Sequence, residues 1–263
     1  LPISPISIAL GAVSLALTFL IGVPVGMLQA ARRGRLTDRI LTVATTAVYA
    51  APTFWIALAL VSLFTYGAAT MGLPPEWRLP AFGVRTPGVT LTGWAAVLDL
   101  IRHAILPVAI LAAVGAAGIA RYTRSSVADT LRLDYVRTAH AKGVGTRRIF
   151  LRHVLANILP ALVILFALSL PGLLAGSIFV ESVFAWPGLG RATLGAILAR
   201  DYPVVMGAAL VLILGLGSLL LIEPALKQRT LLQRQIDRQG AVIGGARGLV
   251  VGEWSGNGVE RQG

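Results

Sequence analysis

The chain has 263 residues, 56% of them hydrophobic and only 13% charged, with a mean hydropathy of +0.79. A soluble domain carries about a quarter charged residues, so an ordinary soluble fold is excluded and a bilayer is implied. The formal net charge of +12 would suggest nucleic acid in a soluble protein, but the basic residues fall between apolar runs, so topology accounts for them and no nucleic-acid partner is expected.

In chain order, five apolar runs stand out: Ile6–Ala30, Leu41–Thr70, Ala104–Ala120, Ile158–Val180 and Val204–Ile222, none holding Asp, Glu, Lys or Arg. Such runs are long enough to cross a hydrocarbon layer as helices, and too long for the alternating strands of a barrel. The predicted fold class is therefore all-α, a polytopic transmembrane helical protein with five spans. The first run has no basic region before it and is longer than a signal-peptide core, so it is read as a span. Within it Gly22 and Gly26 form a small-x3-small pattern that permits close helix approach, as do Gly172 and Gly176 later.

Between the runs, Lys and Arg are unevenly shared. Ala31–Ile40 holds four, Arg121–Asn157 eight and the tail after Glu223 six, whereas Met71–His103 and Glu181–Pro203 hold three and two. The positive-inside rule puts the first set in the cytoplasm together with the C-terminus. Trp77 and Trp94 of the outer loop suit an interfacial belt. The expected organisation is a transmembrane domain over 1–223, with a cytoplasmic loop at 121–157, and a glycine-rich, disordered tail over 224–263.

Catalytic signatures are missing. There is no phosphate-binding G-x4-G-K-[ST], no H-E-x-x-H and no G-x-S-x-G. His103, His140 and His153 lack metal-like spacing and read as surface or interfacial residues. No cysteine is present, which removes disulfides, thiolate metal sites and a thiol nucleophile. No cofactor or metal is expected, and the chain is read as a transport component rather than an enzyme. Apolar runs without carboxylates also argue against an ion-coupled transporter, so the energy for any transport would come from another subunit.

The informative segment is Arg121–Pro160. Leu131, Leu133, Val136 and Ala139 supply an apolar face at helical spacing, Gly143 is a helix terminator, and Thr146 starts a second basic amphipathic helix with Ile149, Phe150, Val154 and Ile158 on its apolar side. Pattern alone leaves two readings open: a docking element parallel to the membrane, or a basic loop that sets topology and binds anionic lipid heads.

The run Asp134-Tyr135-Val136-Arg137-Thr138-Ala139-His140-Ala141-Lys142-Gly143 resembles the cytoplasmic EAA loop of binding-protein-dependent ABC permeases, in the B-type subunit of the dipeptide/oligopeptide/nickel branch. Val180-Glu181-Ser182-Val183-Phe184-Ala185-Trp186-Pro187-Gly188-Leu189-Gly190-Arg191 and Ala199-Arg200-Asp201-Tyr202-Pro203-Val204 are similar to that branch too, and the likeness runs from about Leu1 to Leu221. It implies the type I importer permease fold in a bacterial inner membrane. A second permease subunit, two ATPase subunits, an extracytoplasmic solute-binding protein and membrane lipid would be its partners.

The resemblance assigns ATPase coupling to Val136, Arg137, Thr138, Ala139, Ala141, Lys142 and Gly143. Ala139 would pack on the ATPase, and Gly143 would turn at positive φ. An outer-loop signature comprises Glu181, Trp186, Pro187, Gly188, Gly190, Asp201, Tyr202 and Pro203. Peptide is the favoured solute, with nickel or glutathione as alternatives; a stand-alone channel or membrane enzyme is the alternative function. The sequence departs from the wider motif in carrying Arg137 and Thr138 where glutamate and alanine are usual. The family's span before the equivalent of Ile6 is expected to be missing, and the glycine-rich tail has no counterpart.

Overall fold

The computed structural model of the protein describes residues 3–74, 77–175, 177–210, 213, 214 and 217. Its helices are α1 (Ile3–Ala31), α2 (Leu36–Ala50), α3 (Thr53–Val61), α4 (Ala68–Thr70), α5 (Gly93–Thr130), α6 (Asp134–Ala141), α7 (Thr146–Arg148), α8 (Leu155–Ala175), α9 (Ile178–Val183) and α10 (Leu189–Leu198). There is no strand among the described residues. Two π-helical turns, Ser62–Gly67 and Ile149–Val154, join α3 to α4 and α7 to α8 without interrupting either rod.

Four of these rods are long and apolar enough to cross a membrane: Ser7–Ala31, Thr53–Thr70, Gly93–Thr130 and Thr146–Leu170. About half of the fifth predicted run lies outside the described residues, and its described residues, 204–210, 213, 214 and 217, are helical. The glycine-rich tail, 224–263, lies outside them altogether.

The predicted run Leu41–Thr70 is not one helix. It breaks at Ala51–Pro52, where Ala51 is extended at φ −71° and ψ 138°. Proline disfavours helical geometry in the residue before it and brings no N–H of its own. The third rod, in contrast, overshoots its apolar run at both ends: α5 takes up ten residues of the basic segment, to Thr130, and much of the preceding loop.

α1 is the central element, packed along α5 and also against α2 and α8. Gly22 and Gly26 set the spacing of the α1–α5 crossing. A Cβ at Gly22 would lie 2.9 Å from the Ala116 carbonyl oxygen, and one at Gly26 2.5 Å from that of Ala120. Only a residue without a side chain lets the backbones come so close. Gly172 faces open space instead, and its pattern partner Gly176 lies outside the described residues.

The apolar core gathers at the two ends of α1. Leu10 joins Ala57, Val61, Leu106, Ile110, Val180, Phe184 and Trp186 at one end. Ala30 joins Val127, Val136, Ala139, Ile149, Val154, Ile158 and Leu162 at the other. Large apolar side chains such as Leu20, Val43, Trp55 and Leu58 remain on the outside, as suits a protein whose solvent is lipid. Trp77 and Trp94 are both exposed.

Candidate functional site

The short helix α6 forms because Leu133 enters it extended, at φ −70° and ψ 143°, and because it ends on a left-handed glycine. Gly143 sits at φ +77°. The Val144 N–H reaches back to the Ala139 carbonyl at 3.1 Å, and the Gly143 N–H to that of His140 at 2.9 Å. These bonds occupy carbonyls that the last turn would otherwise leave open. A Cβ at Gly143 would touch nothing, so the requirement for glycine is conformational rather than steric.

Two of the seven predicted coupling residues face inward. Val136 is fully buried and Ala139 is 9% exposed, both within the cluster formed by Val127, Ile149 and Val154. The expectation that Ala139 lies on a partner surface is therefore corrected: at this spacing Val136 and Ala139 share the one apolar stripe of α6, and the chain's own core covers it. Arg137, Thr138, Ala141, Lys142 and Gly143 are exposed. The result is a small, basic, outward face on a helix held by two apolar pins. The ion pair of Arg137 with Asp134, 3.8 Å apart and exposed on both sides, contributes little.

The rest of the segment is held by helix continuity rather than by a second free helix. α7 passes through the π turn directly into α8, with Ile149, Val154 and Ile158 buried as the apolar pattern predicts. The Asn157 amide donates to the Thr130 hydroxyl at 3.1 Å, joining the end of α5 to the start of α8. α6 is thus displayed from a loop anchored on both sides.

Beside it stands a contact that sequence reasoning did not anticipate. The Arg124 guanidinium donates to both oxygens of Asp38, at 2.9 and 3.0 Å. Asp38 also accepts from the Gly34 N–H and the Thr42 hydroxyl. The Arg124 hydrogen bonds and then the Gly34 N–H hold the Asp38 carboxyl at about 2, well below the ordinary 3.8. Asp38 is the only acid in the basic stretch Ala31–Ile40, which is the signal that could have found it.

The predicted outer-loop signature is partly helical: Glu181 and Gly190 lie in α9 and α10, whereas Trp186, Pro187 and Gly188 form the connection between them. α9 packs on α3 and α10 reaches α1. Glu181 is 1% exposed. Its Oε1 accepts from the Ser7 hydroxyl at 3.0 Å, its Oε2 accepts from the Arg191 N–H at 3.0 Å, and Ser7 in turn accepts from the Leu189 N–H at 2.9 Å. One carboxyl thereby ties α9, α10 and α1 together.

Gly188 and Gly190 are glycine because the Glu181 carboxyl occupies the space of a Cβ at the first, and the Ile178 backbone lies 2.8 Å from where one would stand at the second. Trp186 is buried in the core, and Pro187 half-buried beside it. Tyr202 and Pro203 are exposed, and Asp201 accepts from the Val204 N–H at the head of the next helix. His103 is also buried, contrary to the surface reading, with Nδ1 2.8 Å from the Asp99 carbonyl.

The family described as binding-protein-dependent transport system inner membrane component matches residues 22–230. The chain belongs to that family. As a member of it, with several apolar rods of spanning length, it is a multi-pass membrane protein.

Among similar proteins, the oligopeptide transport system permease protein AppB of Bacillus subtilis is 35% identical over 207 residues, covering 79% of this chain and 62% of the relative. The di/tripeptide transport system permease protein DppB of Pseudomonas aeruginosa is 37% identical, covering 78% and 62%. The dipeptide transport system permease protein DppB of Escherichia coli K12 is 33% identical, covering 78% and 63%. The chain spans about three-fifths of the length of these relatives. Among solved structures, the fold resembles a chain of the MetNI methionine ABC transporter, with TM-score 0.59 and 18% identity over 85% of this chain and 92% of that one. It also resembles a chain of an amino acid ABC transporter, with TM-score 0.54 and 14% identity over 85% and 90%. The family's fold is therefore the fold described above.

Proposed function

We propose that this family member is a permease subunit of an ABC importer for peptides. In this reading it pairs with a second permease subunit to form the pathway, and two ATPase subunits supply the energy. A solute-binding protein delivers cargo from outside. The peptide permeases among its relatives support the solute class. The observation that carries the reading is α6, a short helix pinned inward by Val136 and Ala139 and ended by Gly143, with Arg137, Thr138, Ala141 and Lys142 turned outward.

Such a helix transmits force because it cannot slide: its apolar stripe is already satisfied within the chain, so a push on the exposed face moves α5 and α8 together. ATPase closure then favours one arrangement of the spans over the other, which is a population shift driven by differential contact. The basic segments Ala31–Ile40 and Arg121–Asn157, and the C-terminus, face the cytoplasm of a bacterium in this reading, against anionic lipid heads of the inner membrane. The test is co-purification with an ATPase and ATP-dependent peptide uptake by proteoliposomes holding the assembled subunits. Uptake without ATP, or turnover by the chain alone, would favour the channel or enzyme alternative.

A further inference from the structure

The α1, α5, α8 and α9 helices line a partly open cavity of about 250 Å³ that is more polar than the apolar clefts around it. Its polar lining comes from Ser7, Ser14 and Thr18 on α1, Ser169 on α8, and Ser177 and Glu181 at the head of α9. The three α1 hydroxyls lie seven and four residues apart, which puts them on one helix face.

The hydrogen bonds of these groups decide what the cavity offers. Ser14 donates to the Leu10 carbonyl at 2.7 Å, and Ser169 to that of Leu165 at 2.8 Å. Both protons are thus committed to their own helices, leaving oxygen lone pairs toward the cavity. Ser7 donates to Glu181 and accepts from Leu189. Glu181 accepts two bonds where a carboxylate has about four acceptor sites. Among the described residues no Lys, Arg or His pairs with it.

Thr18 is only 7% exposed, and its hydroxyl has no hydrogen bond among the described residues. The cavity is therefore rich in acceptors and, among the described residues, holds one carboxyl without a cation and one hydroxyl without a hydrogen bond.

We infer that this cavity is a binding subsite for the primary ammonium end of a solute, with Glu181 as counter-ion and Ser14 and Thr18 as further hydrogen-bond partners. An ammonium brings three donors and no acceptor, the complement of this lining. The inference rests on the peptide-importer reading only for the identity of the solute, whose free amino terminus is such a group.

The chain has no cysteine, so a single Ser14→Cys in the assembled importer reports on the cavity directly. The expected result is that a cationic aminoethyl methanethiosulfonate modifies it on the order of tenfold faster than the anionic sulfonatoethyl reagent, the lower end of what a charged cleft does to arrival rates. Glu181→Gln should bring the two rates together. Excess dialanine should slow the cationic reagent, and N-acetyl-dialanine should not. Equal rates for the two reagents, or equal protection by the two peptides, would overturn the inference. Should Glu181→Gln fail to assemble, Thr18→Val removes only the unpartnered hydroxyl. It should lower the uptake ratio of dialanine to its acetylated form about threefold, and an unchanged ratio would overturn the inference equally. ATP-independent uptake by the unmodified complex would count against the importer reading alone, because the reagent preference is measured without transport.

Discussion

Arg124 on α5 holds Asp38 on α2 through two guanidinium nitrogens, at 2.9 and 3.0 Å, across 86 residues of sequence. The pair fastens the turn between α1 and α2 to the long rod that leads into α6. Asp38 is buried while Arg124 keeps about a third of its side chain exposed, so the two halves are not equivalent. Removing the arginine strands a buried carboxylate; removing the carboxylate leaves a cation that can still reach water.

Arg124→Ala should therefore destabilise by about 1.5–3 kcal/mol, the range for hydrogen bonds to charged groups, and by more than Asp38→Asn. Thermal unfolding of the purified protein would measure both. The Asp38 carboxyl is depressed from 3.8 to about 2, so its stabilising contribution is fully present above the unfolded value and is lost as pH falls through the folded one. The difference between the wild type and Asp38→Asn should accordingly be flat from pH 5 to 8 and shrink below pH 4. A difference that changed through neutral pH would refute this assignment.

The α6 helix separates into an inner and an outer set. Arg137→Glu with Lys142→Glu should leave melting temperature and membrane insertion unchanged yet weaken ATPase co-purification, since both side chains are exposed. Ala139→Asp should instead lower the folded yield before any partner is added, because it buries a charge in the chain's own core. Gly143→Val should cost about 1–2 kcal/mol through its left-handed backbone. If Ala139→Asp were as stable as the wild type, the inward placement would be wrong.

Gly188→Ala tests the Glu181 tie. The methyl group would enter the space of the Glu181 carboxyl, and overpacking of this kind typically costs about 1–3 kcal/mol. Thermal unfolding should show that loss, whereas Gly172→Ala, at a position with open space, should unfold like the wild type.

Orientation is checked with cysteines placed at Gly145 and Arg85 in the otherwise cysteine-free chain. An impermeant thiol reagent applied to intact cells should label position 85 and spare position 145. The reverse pattern would turn the protein over in the membrane.

Much of this was legible in the sequence, for reasons that differ by residue. The α6 helix showed itself through Val136 and Ala139 at helical spacing and a glycine just beyond. Which surface that stripe meets was not legible, because an apolar stripe is equally suited to a partner or to the chain's own core. The break at Ala51–Pro52 was hidden by reading composition over a window: hydropathy does not register a missing N–H. Glu181 was assigned to a loop because it follows the last apolar residue of a run, whereas its burial depends on Ser7, 174 residues away. Contacts at that separation, like Asp38 with Arg124, leave no local period to read.

The π turn at Ile149–Val154 has a consequence for how this protein can vary. A π turn holds one residue more than the α-helical turn it replaces, so removing a residue there would return the backbone to regular winding while both flanks kept their facing. The same deletion inside α8 would swing every later side chain by about 100° around the axis, carrying lipid-facing residues into the core. Length changes in this rod therefore have one place where they are absorbed, at the point where the basic segment becomes a span.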